Sequence, residues 1–488
     1  MRDEKLLNIA YKAIEKSKEK VSKDYYTLKY HLMPPVGFIN DPNGFINIKG
    51  EYHLFYQFNP LYPEDKKAYW GHVKSTDLVN WQQLPIALCP SEWYETHGCY
   101  SGSAVNYKGI FTLMYTGNVK DSSGNRETYQ CIAQSNDGVN FIKYENNPVI
   151  YNQPEGYTRH FRDPKVWKYG DMWYMVIGTQ TVKEQGTALL YNSKDLFDWK
   201  LIGEVAGANT DKLSFLGYMW ECPNLLNIDG KDVLIFCPQG VEKQGDLYNN
   251  RHQCGYLMGN LDYETGKLDY GDFVELDRGF EFYAPQITED NKGRKLLIGW
   301  MGLPDEEESP TVKNGWLHCL TIVRELSIKN HRIIQNPVEE MKLLRKNRIE
   351  YNNIEIKSDN LKLDKINGDS YELICDFSWD IVSKFGIKFR CNKDCSEETV
   401  LYYDVEKEKL VLDRDKSGLS LKGIRKCKLK NHGNLKLHIF MDTSSIEAFV
   451  NDGEEVFTAR IYPDKDSSGV TFFSEDGNVK LDIQYWEL

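Results

Sequence analysis

Apolar positions recur at helical spacing along the first two dozen residues. Leu6, Ile9, Ala13 and Ile14 fall roughly on one face, which predicts a helical segment over residues 1–28. After about residue 28 the pattern changes to short apolar runs broken by Gly, Asn and Asp, the texture of strands and tight turns. Five stretches share one plan: NDPNGFINIKGEYHLFYQ, SGSAVNYKGIFTLMYTG, RDPKVWKYGDMWYMVIG, ECPNLLNIDGKDVLIFC and YAPQITEDNKGRKLLIGW. Each opens on a small or polar cluster, reaches a turn glycine, then enters an apolar run.

The turn glycines Gly50, Gly109, Gly170, Gly230 and Gly293 are spaced by 59, 61, 60 and 63 residues. The anchors Pro42, Ser103, Pro164, Pro223 and Pro285 keep the same phase, at 61, 61, 59 and 62. A third phased element, STDLVNW, SNDGVNF and SKDLFDW, ends on Trp81, Phe141 and Trp199, where Ser and Asp can close a turn while the ring packs between sheets. A period near 60 with several strands per unit and no regular helix points to propeller blades. The fold class expected is therefore all-β, a five-bladed β-propeller over 29–335. Innermost strands line a propeller's channel, so residues near the start of each unit should converge there.

Past about residue 325 the repeat stops. Residues 336–350 read as a linker with a short helix, and 351–488 as alternating strands: YELICDF, FGIKFRC, TVLYYDV, LKLHIFMD and GVTFFSE. SSIEAFVNDGEEVFTARIYP reads as a hairpin turning at Asn451, Asp452 and Gly453. A C-terminal β-sandwich is expected, and it shows no catalytic constellation.

Three of the five units place an acid beside the anchor: Asp41, Asp163 and Glu221. Asp41 and Asp163 directly precede proline; Glu221 stands one residue earlier, in register with Asn40 and Arg162. Singly, such residues would be turn formers. Phased in a repeat, they predict three carboxyl groups at one channel mouth, where like charges raise at least one pKa. Glycoside hydrolysis needs one ionised carboxylate and one carboxylic acid still protonated near neutral pH.

Composition narrows the partners. A net charge of −12 argues against nucleic acid or an anionic membrane surface as main partner. No run of 18 apolar residues predicts a membrane span, and the start lacks a signal-peptide pattern. Eleven cysteines without a CxxC pair suit free thiols in a reducing cytoplasm. Asp413, Asp415 and Ser417 before Gly418 have the look of a calcium loop, but its twelfth position is Ile424 and helical flanks are absent. No metal and no cofactor are expected. Cys222, next to the acid, reads as a packed thiol.

At this point the sequence resembles the invertase-like β-fructosidases, glycoside hydrolase family 32. The resemblance rests on FINDPNG at 38–44, WGH at 70–72, YSGSA at 100–104, FRDP at 161–164, WECP at 220–223 and FYAPQ at 282–286. It implies a retaining enzyme in which Asp41 is the nucleophile, Glu221 the general acid and base, and Asp163 the holder of fructose hydroxyls. It also implies carboxyls roughly 5 Å apart. Phe38, Asn40, Gln57, Trp70, Tyr100, Ser101, Arg162 and Trp300 match positions that shape the fructose pocket. Phe38 and Tyr100 stand where the family often has Trp and Phe. Within the family, GWMGLPD at 299–305, the missing signal peptide and the sandwich tail look most like bacterial enzymes that cleave sucrose-6-phosphate inside the cell. A phosphate would need a cationic contact; Arg126, Arg159, His160 and Lys313 lie in candidate loops, and none is singled out.

The substrate expected is thus a small sugar, sucrose-6-phosphate and also sucrose. Alternatives are an invertase or exo-fructanase on unphosphorylated sugars, a fructosyl transferase, a sialidase-type propeller, or an inactive carbohydrate-binding propeller. A sialidase would want an arginine cluster and a Tyr nucleophile, and a binding module would tolerate loss of one acid. All three acids are present.

Overall fold

The computed structural model describes residues 4–306, 308–430 and 433–488. Five antiparallel sheets of four or five strands follow one another between Gly37 and Pro337. Their first strands are Gly37–Ile48, Cys99–Tyr107, Tyr157–Tyr169, Met219–Ile228 and Tyr283–Glu289. These touch in cyclic order, and the fifth lies against the first. That ring is the axis of a five-bladed propeller. A two-residue strand from the fifth blade, Trp316–Leu317, pairs in parallel with Gly37 and Phe38 of the first and helps close it.

The phased glycines sit at the turn between the first and second strands, all with positive φ, 59° to 88°. Lys49–Gly50, Lys108–Gly109 and Asp229–Gly230 have positive φ at both residues, the type I′ geometry whose twist matches that of paired strands. Further out, Asp77 Oδ1 accepts from the backbone N–H of Val79 and Asn80. Asp137 does the same for Val139 and Asn140, and Asp195 for Phe197 and Asp198. These loops hold Phe141 buried, with Trp81 and Trp199 half-buried against the blade cores.

The N-terminal helix is Glu4–Ser22; the first three residues of the expected segment lie outside the described ones. Its buried face is Leu7, Ala10 and Val21, with Ile14 half-buried, whereas Ile9 is 41% exposed. The stripe therefore runs at 7, 10, 14 and 21, and Ile9, two positions past Leu7, points to the other side. No helix among the described residues is long and apolar enough to cross a membrane.

After the last blade strand, Arg332–Pro337, a short 3-10 helix, Glu339–Leu344, leads into two packed six-stranded sheets, a β-sandwich. Alternate residues such as Phe385, Ile387, Leu401, Leu437 and Phe472 fill the space between its sheets. Its edge strand, Glu455–Arg460, is covered by the propeller: Arg278 N–H donates to Val456 O at 2.7 Å and Phe280 N–H to Thr458 O at 2.8 Å. An edge paired in this way offers no template for another chain.

The two domains are locked by buried charge. Arg324, fully enclosed, donates to Glu447 Oε2 at 2.6 Å, Thr458 Oγ1 at 2.7 Å and Asp277 Oδ2 at 3.1 Å. His31 meets Asp442 at 2.9 Å through Nδ1 and Glu447 at 3.0 Å through Nε2. Burial alone would lower its pKa, but the two carboxylates outweigh it and the net shift is upward, so both ring nitrogens donate. The Lys29 and Tyr30 N–H groups also donate to Asp442, and Thr443 and Ser444 bond the carbonyls of Tyr26 and Thr27. Residues 26–31 are thereby strapped to the sandwich. Arg324→Met, which strips the cation from Asp277 and Glu447, is expected to cost about 3–5 kcal/mol, read as the urea midpoint. A loss under about 1 kcal/mol would show that the guanidinium is dispensable.

Candidate active site

In a regular strand, neighbouring side chains point to opposite faces. The inner strands of this propeller break that rule at their anchors. Pairing slips between Ile39 and Pro42, Tyr100 and Gly102, Glu221 and Asn224, and Tyr283 and Gln286, and in the third blade between Arg162 and Lys165. At these bulges Asp163, Cys222 and Ala284 take left-handed backbone, φ 67°, 47° and 45°. The bulge lets two consecutive residues reach the same space. Asn40, Ser101, Arg162, Glu221 and Tyr283, each two residues before an anchor, meet Asp41, Asp163 and Cys222, each one before.

Two hydrogen-bonded clusters result. In the first, Ser101 Oγ donates to Asp41 Oδ2 at 2.5 Å, Asn40 Nδ2 to Asp41 Oδ1 at 3.1 Å, and Gln57 Nε2 to Ser101 Oγ at 2.5 Å. In the second, Arg162 donates to Glu221 Oε1 at 2.9 and 2.6 Å, while Gln239 and the Tyr283 hydroxyl each donate to Oε2 at 2.7 Å. Cys222 joins Asp163 to the first cluster. Its N–H donates to Asp163 Oδ2 at 3.0 Å, and its thiol lies 3.5 Å from Asp41 Oδ2 and 3.7 Å from Asp163 Oδ2. The Glu221 side chain keeps 17% exposure, enough to meet a ligand from the mouth.

The pocket above is lined by Phe38, Asn40, Gln57, Tyr62, Tyr100 and Pro304. Phe38 packs edge-on to Trp300 at 6.0 Å and to His318 at 5.5 Å, and Trp300 Nε1 donates to His318 at 3.2 Å. Trp70 stands behind this wall rather than on it. It is fully buried, and its indole N–H donates to the Tyr100 carbonyl at 3.1 Å. Sequence reasoning left four contributors unassigned: Tyr62, Gln239, Tyr283 and His318. Tyr283 had a signal, because it occupies the fifth repeat's equivalent of Glu221. Gln239 had none, since it reaches Glu221 from the end of a second strand, Lys231–Gln239.

The charge balance differs from the crowding argument. Burial pushes Asp41 up to about 6, helped by the charge of Glu221 and opposed by Ser101 and Asn40. Burial pushes Asp163 up to about 7, with Glu221 and Asp41 adding to it and Arg162 opposing. A general acid at Glu221 would call for a raised carboxyl. Burial acts that way on it too, yet Arg162 and the Tyr283 hydroxyl together overcome burial and set it below its usual value. Crowding does hold protons in the site, and Arg162 directs them to the aspartates. His160, whose Nδ1 lies 2.9 Å from Arg162 Nη1, is pushed down to about 4 by burial and that guanidinium. No cluster of potential metal ligands occurs among the described residues.

The four basic residues of the candidate loops separate. Arg159 pairs with Glu127 at 3.1 Å, and His160 is neutral at pH 7. Lys313 lies on the short helix Val312–Asn314, where its carbonyl accepts from Lys20. Arg126 stands beside the pocket wall, 5.2 Å from the Tyr100 ring centroid.

Comparison with known proteins gives the same placement. The chain matches the model of the glycosyl hydrolases family 32 N-terminal domain over residues 31–337 and that of the family 32 C terminal over 340–487. It is 40% identical to the sucrose-6-phosphate hydrolase of Bacillus subtilis, covering 100% of this chain and 99% of that one. It is also 40% identical to the Salmonella typhimurium enzyme of that name, over 98% and 96%. Among solved structures, the sucrose-6-phosphate hydrolase of Lactobacillus gasseri superposes with TM-score 0.89 at 32% identity, over 98% and 96% of the two chains. A Bombyx mori GH32 beta-fructofuranosidase mutant in complex with sucrose gives TM-score 0.86 at 35%, over 99% and 98%.

A carboxyl group raised on folding makes the native state bind more protons than the unfolded chain, here between pH 3.8 and about 7 for Asp163. Stability contributed by that group therefore falls as pH rises through this window. Asp163→Asn removes the penalty. Its melting temperature should exceed that of the parent at pH 8, and the gap should shrink steadily towards pH 4. A gap that is flat or widens on acidification would contradict the assigned protonation.

Proposed function

The chain belongs to glycosyl hydrolase family 32, and from that premise we propose that it is a retaining β-fructofuranosidase hydrolysing sucrose-6-phosphate, with sucrose a poorer substrate. The observation that carries this is the convergence of Asp41, Asp163 and Glu221 around Arg162, in a chain similar along its whole length to sucrose-6-phosphate hydrolases.

In this reading the Asp41 carboxylate attacks C2 of the fructosyl ring while Glu221 donates its proton to the glycosidic oxygen, releasing glucose-6-phosphate. The fructosyl group is left as an ester of Asp41. Glu221, now a carboxylate, takes a proton from water as the oxygen attacks C2, and the Asp41–C2 bond breaks to give fructose. Each carboxyl returns to its starting state. Asp163 holds the fructose hydroxyls, and Asn40, Gln57 and Ser101 fix the orientation of Asp41. Phe38 offers the sugar an aromatic wall, backed by the buried Trp300. The reading puts the enzyme in the cytoplasm, which suits eleven cysteines outside any disulfide, ten of them buried.

The proton inventory sets the pH dependence. Turnover needs one proton in the cluster, on Glu221, with Asp41 bare. The resting site carries its spare protons on Asp163 and Asp41, titrating near 7 and 6 as a coupled set. Above about pH 7 the last shared proton leaves, so kcat/KM is expected to fall about tenfold per pH unit there. A rate that stays level to pH 9 would show that Glu221 draws its proton from elsewhere.

Two measurements test the assignment. The purified chain should release glucose-6-phosphate and fructose from sucrose-6-phosphate with kcat/KM at least about tenfold above that for sucrose, a difference of about 1.4 kcal/mol. Equal or better use of sucrose would keep the mechanism and remove the phosphate; turnover of neither would leave a binding propeller. Glu221→Gln should lower kcat by about 10²–10⁴-fold, and Asp41→Ala should abolish turnover while sugar binding persists.

A further inference from the structure

Accepting sucrose-6-phosphate as substrate, we propose that Arg126 is the residue that recognises the phosphate, with Lys120 opposite it on the neighbouring strand adding charge. The inference rests on the proposed function above and assigns its specificity to a place.

Position is the first argument. Glu221 delivers its proton to the glycosidic oxygen, so the leaving glucosyl ring must lie on the side of the mouth that Glu221 faces. Its 6-phosphate lies one pyranose ring further out. Arg126 begins the strand Arg126–Ser135 on that rim, stacked over Tyr100 of the pocket wall. It is near enough for its charge to favour ionised Glu221.

Availability is the second. Among the described residues Arg126 meets no carboxylate, and its one side-chain hydrogen bond runs from Nη1 to Asn118 Oδ1 at 3.0 Å. The acids beside it in sequence are engaged. Asp121 turns back on its own loop, accepting from Ser123 N, Asn125 N and Asn125 Nδ2 at 2.8 Å each. Glu127 pairs with Arg159. A guanidinium without a carboxylate in contact is notable in a chain of net charge −12.

The third is pairing. Lys120 stands directly across from Arg126 in the hairpin, so two cations share one face where like charges repel. A dianion between them removes that repulsion. Asn118, two residues from Lys120 on the same face and fully buried, fixes the guanidinium, and its own amide nitrogen meets no acceptor among the described residues. A guanidinium placed over a ring and tied at one nitrogen presents its remaining N–H groups as a fork suited to two phosphate oxygens.

The test is the ratio of kcat/KM for sucrose-6-phosphate to that for sucrose, with inhibition by glucose-6-phosphate as a binding readout. In Arg126→Gln the ratio should fall about 30-fold, and the inhibition constant of glucose-6-phosphate should rise while that of glucose moves little. Arg126→Lys should keep part of the ratio, and the exposed change Lys120→Gln should lower it by a smaller factor. Equal loss on both substrates, or a ratio within about twofold of the parent, would overturn the inference. A parent chain with no preference for the phosphate would instead bring down the functional reading itself.

Discussion

Gathering three carboxyl groups out of bulk water costs free energy that opposite charge must offset, and in this channel Arg162 carries most of that burden. Its guanidinium grips Glu221 through two N–H groups and lies next in sequence to Asp163, whose charge it also favours. One cation among three acids leaves the cluster short of positive charge, so protons make up the difference. The neighbours decide where they sit. Glu221, with Arg162, Gln239 and Tyr283 on its oxygens, stays ionised; Asp41 and Asp163, held by neutral donors, take the protons. The resting distribution and the one needed for bond breaking thus differ by a proton shift among carboxyl groups gathered at one channel mouth.

Bulges make that set possible. A propeller built from regular strands would send Asn40 and Asp41, or Arg162 and Asp163, to opposite sides of their sheets. Extra residues at the anchors turn both members of each pair inward. Left-handed backbone at Asp163 and Cys222 costs on the order of 1–3 kcal/mol each, strain that the surrounding pairing must hold. The ring of five inner strands, closed by Trp316–Leu317 against Gly37, holds it by fixing each strand between two neighbours. Rigidity of the ring and geometry of the site are one property.

Much of this was legible in the sequence because a repeat samples the same physics five times. The glycines at 50, 109, 170, 230 and 293 had to occupy equivalent turns, and all five have positive φ. The acids at 41, 163 and 221 had to converge once the blades did. What a linear pattern could not carry is the identity of neighbours across blades. Gln239 touches Glu221 from a second strand, Trp70 supports Tyr100 from behind, and the protonation order depends on which acid Arg162 faces. Each is a three-dimensional adjacency without a sequence period. The helix departs from its expected face at Ile9 for a related reason: Ile9 is apolar, but the core beneath the helix takes Leu7, Ala10 and Val21, with Leu6 and Ile14 at its margin.

The strap at residues 26–31 has a bearing on how the molecule comes into being. His31 is separated from Asp442 by 411 residues of chain. At the pace of synthesis, about 5–20 residues per second, that separation amounts to roughly 20–80 seconds. During the interval the five blades are made and can form their ring, while the segment that precedes them has no carboxylate to bury against. His31 can take its place only when the sandwich strands Asn434–Asp442 and Ser445–Val450 arrive. The domain made last therefore finishes the domain made first, and the strap and the sandwich are secured in one closing event.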